Sequence, residues 1–195
     1  MGSDKANLQI GAQTFLARIA GVVGQCVDHI VLVAAQDQSL PDLPAQNLTV
    51  VRDLTPFEGP LSAFIAGMEA LPHNIDRAFV TSCDLPLMDV ALIRALIAQT
   101  EEGHSSKWQI VVPIFQGHPQ VLCAVYDRRL AEVARKLLRN GSRRMRDLLD
   151  QDSVCRLDEQ QLIQLGSSEN ALCSVNTPEE YQRVLTMFKH FHSSD

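Results

Sequence analysis

No two cysteines in this sequence are spaced as Cys-x-x-Cys, and the five present, Cys26, Cys83, Cys123, Cys155 and Cys173, are scattered and odd in number. That excludes a paired-thiolate zinc site and the disulfide framework of a small secreted domain, and it predicts reduced thiols. No apolar run reaches the roughly 20 residues of a membrane-spanning helix, and the first residues lack the charged-then-apolar order of a signal peptide. A membrane partner is therefore not expected, and the expected location is cytoplasmic. An excess of positive charge is also lacking. The formal net charge is −6, which argues against nucleic acid as a partner of the surface as a whole. Internal repeats and low-complexity tracts are absent. What remains is ordinary globular composition, 46% hydrophobic and 21% charged over 195 residues, the length of one domain spanning 1–195 with a tail from about 189 expected to fray.

The chain is organised around Ala78-Phe79-Val80-Thr81-Ser82-Cys83-Asp84-Leu85-Pro86. A short apolar, β-branched run that arrives at one carboxylate and then a proline reads as a buried strand delivering an acid to its carboxyl end, followed by a forced stop. In an open α/β sheet that end is where ligands bind, and an acid there commonly holds a hard cation against phosphates. The alternative for Asp84 is a cap for the helix that follows.

Periodicity predicts helices over 12–25, 61–71, 90–100, 128–139, 142–150 and 178–188, and strands over 29–35, 48–53, 109–113, 120–126 and 153–157, besides the strand running up to Asp84. Residues 115–119 read as a turn. Gly59 permits a close backbone approach before Pro60 opens a helix, and Thr177 with Glu180 forms the pattern of a capping box. Strands alternating with helices at this rhythm argue an α/β fold with three layers and a mostly parallel sheet.

Met1-Gly2-Ser3-Asp4-Lys5-Ala6, Gly59-Pro60-Leu61-Ser62-Ala63, Cys83-Asp84-Leu85-Pro86, His118-Pro119 and Asn176-Thr177-Pro178 occur in this order. With them the chain, from residue 1 to about 185, resembles the molybdenum cofactor guanylyltransferases of the nucleotidyltransferase superfamily. The resemblance implies a Rossmann-like, GT-A-like nucleotide-diphospho-sugar transferase architecture. It also implies Mg²⁺ as cofactor, with GTP and molybdopterin as substrates and molybdoenzymes or their chaperones as further partners. Residue by residue, it makes Asp84 the metal ligand, Lys5 the cation that neutralises triphosphate charge, Asp53 the acid near guanine, Gly59 part of the nucleotide site, and Asn176 a contributor on the metal and acceptor side. Asp84 and Lys5 would then be the catalytic pair. The reaction it implies is transfer of GMP from GTP to molybdopterin with release of pyrophosphate.

One departure stands beside the matches. Members of that family begin with a strand and a Leu-Ala-Gly-Gly-x-Ser-x-Arg-Met-Gly loop, and this chain starts at the loop's Met-Gly. The expectation is a truncated or wrongly started reading frame, with buried strand edges left unpaired, weak GTP binding and negligible catalysis by the chain as written. The other readings are a cytidylyltransferase, for which Gly117-His118-Pro119 speaks, and a non-catalytic molybdopterin-binding protein. Taken without the resemblance, Lys5 is a surface lysine, Asp53 a turn cap and His118 a turn residue. The arginines from Arg128 to Arg146 read as a solvated face, with a site for the acceptor's phosphate as the sharper alternative.

Overall fold

A computed structural model describes residues 5–43, 47–53, 59–100, 108–151 and 153–192. The chain enters through a 3₁₀ turn, Lys5–Asn7, and a small antiparallel hairpin of β1 (Gln9–Ile10) and β2 (Gln13–Thr14) turned at Gly11 with φ 58°. The helix expected over 12–25 is shorter, α1 (Phe15–Val23). Its start is fixed by Thr14, whose hydroxyl accepts from the Ala17 amide at 3.2 Å, and the residues ahead of it are taken up by the hairpin. Next, β3 (Ile30–Ala35) and β4 (Leu48–Asp53) pair in parallel, with Ala35 opposite Asp53. Helix α2 (Pro60–Ala70) carries the chain back to β5 (Arg77–Thr81), and α3 (Val90–Ala98) follows.

The remainder comprises β6 (Ile110–Phe115), β7 (His118–Pro119), β8 (Cys123–Asp127), α4 (Leu130–Arg139), β9 (Val154–Leu157), α5 (Glu159–Gln164) and α6 (Pro178–His192). The stretch read as a short helix over 142–150 is a 3₁₀ segment, Met145–Asp150. Helix α5 was not expected. It is one and a half turns long, too short to declare a period, and is held by a capping box between Asp158 and Gln161. Helix α6 reaches His192, past the point where the tail was expected to fray. The turn expected over 115–119 is tighter: Gln116 and Gly117 have φ of 50° and 75°, and His118 and Pro119 already pair back onto Phe115 and Ile114. Two consecutive positive φ values are what a two-residue hairpin with a type I′ turn demands.

In the larger sheet β5 and β6 both run antiparallel to β8, which lies between them, while β9 is parallel to β6. β5, β6 and β9 thus share one direction, with β8 and the two-residue β7 reversed. The reason is length: only residues 116–122 separate β6 from β8, whereas a parallel crossover needs about a dozen residues or more. Strict alternation divides the core. Ile110, Val112, Ala124 and Tyr126 face α2 and α4, and Val111, Cys123 and Val125 face α1, α3 and α5, giving three layers. A third cluster seats α6 on Ile10, Phe15 and Leu87.

Strands β3 and β5 lie under the same helices. Val31, Ala78 and Val80 pack in the cluster of α2, and Ile30 and Phe79 in that of α1 and α3. Among the described residues no hydrogen-bonded ladder joins them, so β3–β4 forms a sheet of its own. The edges expected to be buried and unpaired are only partly buried: Ile30 to Val33 and the whole of β5 are half-exposed, where β8 is buried throughout.

Candidate active site

Strand β5 ends at Thr81 and hands the chain to Ser82-Cys83-Asp84 at its carboxyl end. Buried side chains of Leu85, Leu87 and Met88 then anchor the segment to the core. Asp84 is not the cap of α3. That role belongs to Asp89, whose Oδ1 accepts from the Leu92 amide at 2.7 Å and whose Oδ2 accepts from the Ser168 amide at 2.7 Å. Freed of the capping role, the Asp84 carboxylate accepts a hydrogen bond from the Ser82 hydroxyl and lies 3.8 Å, through Oδ2, from Lys5 Nζ. Its main-chain carbonyl accepts from the Val175 amide at 2.9 Å, which brings the Asn-Thr-Pro turn alongside.

Asn176 completes the group. Its Oδ1 accepts from Lys5 Nζ at 2.7 Å, and its Nδ2 donates to Ser174 Oγ at 3.2 Å. The start of α6 fixes its backbone: Glu180 Oε2 accepts from the amides of Asn176 at 2.6 Å and Thr177 at 3.0 Å, while the Thr177 hydroxyl accepts from the Glu180 amide at 3.2 Å. This is the capping box read from the sequence, and it also aims Asn176. Lys5 and Asp84 side chains are 28% and 25% exposed, open enough for an anionic ligand to reach both. The floor is apolar. Burial pushes the Cys123 thiol up, the nearby carboxylates of Asp84 and Asp89 add to the effect, and the group stays a neutral thiol.

The structure therefore brings Lys5, Asp84 and Asn176 together across 171 residues of sequence. Asp53 and Gly59 lie outside that hydrogen-bonded cluster, at the carboxyl end of β4 and at the N-terminus of α2. Gly59 has φ 82°, and a Cβ there would stand 3.2 Å from the Arg143 carbonyl oxygen, so the close approach expected of it is made with Arg143. Thr55, Pro56, Phe57 and Glu58, between the two, lie outside the described residues, as does the Met1-Gly2 pair.

Much of the arginine run is engaged in ion pairs and caps. Arg128 donates to the carbonyls of Leu71 and Pro72, Arg129 pairs with Asp127, Arg135 with Glu69 and Glu132, and Arg144 with Asp147. The solvated-face reading fits that part of the run, and His118 sits on β7 as an exposed strand residue. Sequence reasoning missed Ser82 and the second duty of Glu180. Nothing in the spacing separates Ser82 from any polar residue at a strand end, whereas an acid three residues after a helix cap always has main-chain amides within reach.

Chemically, one carboxylate and one amide oxygen converge on a single cation, the Lys5 ammonium. Both are hard oxygen donors of the kind Mg²⁺ takes. Among the described residues no group of three or more His, Cys, Asp or Glu side chains forms a metal cage. Such a sparse set suits an ion that keeps its waters and completes its shell with substrate phosphates.

A family model described as "MobA-like NTP transferase domain" matches residues 1–157. A protein of Mycobacterium avium (strain 104) named "Probable molybdenum cofactor guanylyltransferase" is 35% identical over 187 residues, 94% of this chain and 88% of its own. Among solved structures, molybdopterin-guanine dinucleotide biosynthesis protein A from Archaeoglobus fulgidus aligns with a TM-score of 0.72 at 15% identity, covering 100% of this chain and 93% of that one. A Mycobacterium tuberculosis H37Rv protein solved in complex with manganese aligns with a TM-score of 0.65 at 16% identity over 95% of this chain and 93% of that one. The two structures carry the fold, with its nucleotidyltransferase-like sheet. The family model and the sequence relative carry more, and on them this chain belongs to the MobA-like NTP transferases.

Proposed function

We propose that the protein is a Mg²⁺-dependent guanylyltransferase of the cytoplasm, acting as one domain, that joins GMP from GTP to molybdopterin for delivery to molybdoenzymes or their chaperones. The observation that carries this reading is the convergence of Lys5, Asp84 and Asn176 beyond the carboxyl end of β5. Nucleotidyl transfer asks little covalent help of a protein; it asks for alignment and for fixed positive charge around the phosphates. A phosphate oxygen of molybdopterin attacks the α-phosphorus of GTP, a P–O bond forms, the α–β bond breaks, and pyrophosphate leaves with the electron pair. Lys5 binds phosphate oxygens and absorbs charge that builds on the leaving group. Asp84 and Asn176 are the residues that would hold Mg²⁺, whose chemistry when bound is to neutralise and orient phosphate oxygens. Asp53 accepts paired hydrogen bonds from the ring N–H and exocyclic amine of guanine, and Gly59 lets the backbone close on the same side.

A site built to pair both donors rejects a base lacking them, because its polar groups are then left unpaired. In competition, GTP should be used in preference to ITP, which lacks the exocyclic amine, and far in preference to CTP. Use of CTP as well as or better than GTP would reassign the protein to cytidylyl transfer.

A further inference from the structure

Arg18 on α1 is a half-buried cation that, among the described residues, no carboxylate pairs with. Its Nε donates to the Pro86 carbonyl at 2.6 Å, and its guanidinium carbon lies 4.9 Å from the centre of the Phe188 ring on α6. Burying a guanidinium without an anion is expensive, and a methionine would fill the same space at less cost. The geometry shows what the charge is used for. Pro86 is two residues beyond Asp84, and Phe188 belongs to the helix that begins just after Asn176. The same Phe188 ring is 2.8 Å from where a Cβ on Gly11 would stand, so it also backs the hairpin that follows Lys5. One side chain thus touches the Asp84 segment and α6, and through Phe188 the hairpin next to Lys5.

Resting on the reading of Asp84 as a metal ligand, we infer that Arg18 is the positioning residue of this site: it holds the segment carrying Asp84 in line with Lys5 and Asn176. Leu85, Leu87 and Met88 set how deep the segment lies, but apolar contacts are non-directional and do not set its twist. The Leu85 carbonyl accepts from the Met88 amide within the segment, and two further main-chain carbonyls tie its twist to other elements, that of Asp84 bonded to the Val175 amide and that of Pro86 bonded to Arg18. A charged donor makes the bond to Arg18 about twice as strong as a neutral one, and the guanidinium lies over the Phe188 ring while it donates.

The test compares the full chain with Arg18→Met, Arg18→Lys and Asp84→Asn, using Mn²⁺ alone as the probe, followed by electron paramagnetic resonance without nucleotide. Partners that orient a metal ligand typically matter by about 10–100-fold in affinity. Arg18→Met should keep the parent's far-ultraviolet dichroism and bind Mn²⁺ about tenfold or more weakly, Arg18→Lys should recover part of the loss, and Asp84→Asn should abolish binding. In turnover, Arg18→Met should lower kcat more than it raises KM for GTP. Parent-like Mn²⁺ affinity in Arg18→Met, with binding lost in Asp84→Asn, overturns the role of Arg18 alone. Mn²⁺ binding that survives in Asp84→Asn overturns the reading of Asp84, and this inference with it. Should Arg18→Met not fold, Arg18→Lys decides: it keeps the charge but loses the flat fork, so an affinity equal to the parent's would again overturn the proposal.

Discussion

At the scale of single residues, the most informative contact is the one Lys5 makes. Its ammonium bonds Asn176 Oδ1 and neighbours Asp84 Oδ2, the two oxygens assigned to the metal under our reading. A lysine in that place is a monovalent substitute for the ion. On that reading it would give up those oxygens to a divalent cation and be placed to pair with phosphate. This predicts opposite effects from one substitution. Lys5→Met should bind Mn²⁺ alone more tightly than the parent, because no internal cation competes. It should also bind Mg²⁺-GTP more weakly and turn over at least tenfold more slowly, having lost a charge on the phosphates. Isothermal titration with the metal and then with the nucleotide checks both. Weaker Mn²⁺ binding by Lys5→Met would mean that Lys5 supports the metal site instead of competing with it. From sequence, the place of Asp84 just beyond a strand's carboxyl end was legible, because a strand, a lone acid and a proline point to one place in an α/β fold. Ser82, Val175 and Arg18 were not, because each acts through a contact between segments far apart in the chain.

Among elements, what the sequence made legible follows from what has a period. Strands β3 and β4 and helices α2 and α3 were readable within two residues at each end, since long apolar runs, helical spacing and the Pro60 boundary mark them. The hairpin of β1 and β2, the strand β7 and the helix α5 were missed, being too short for alternation to register. The reversed direction of β8 is set by loop length, not by strand composition. Two strand edges carry the prediction that belongs here. Strands β3 and β5 share covering helices, are half-exposed along most of their length and lack a ladder between them among the described residues. Unpaired edges of apolar strands are a liability, and one more strand laid between them would pair both. Joining a Leu-Ala-Gly-Gly-type strand and loop ahead of Met1 should therefore raise Tm by several degrees. It should tighten GTP binding as well, because successive main-chain N–H groups before a helix cradle phosphate. Equal Tm and equal GTP affinity in the two forms would show that the edges are already satisfied and that other residues hold the triphosphate.

For the molecule as a whole, the candidate site lies beyond the carboxyl end of β5. Helix α2 connects β4 to β5, the strand that ends in Asp53 to the strand that leads to Asp84. Helix α6 then closes across the chain, bringing Asn176 to Lys5 from opposite ends of the sequence. Among the described residues no helix is long and apolar enough to cross a membrane. The central claim is that one carboxylate at the end of β5 makes this fold a nucleotidyl-transfer site. The most direct measurement is guanylyl transfer from α-labelled GTP to molybdopterin at saturating Mg²⁺, parent against Asp84→Asn, in the 195-residue chain and in the strand-extended form. The account predicts labelled dinucleotide and pyrophosphate from the parent in the more active form, and a loss of at least a hundredfold in Asp84→Asn with Tm nearly unchanged. Near-normal turnover by Asp84→Asn would contradict it.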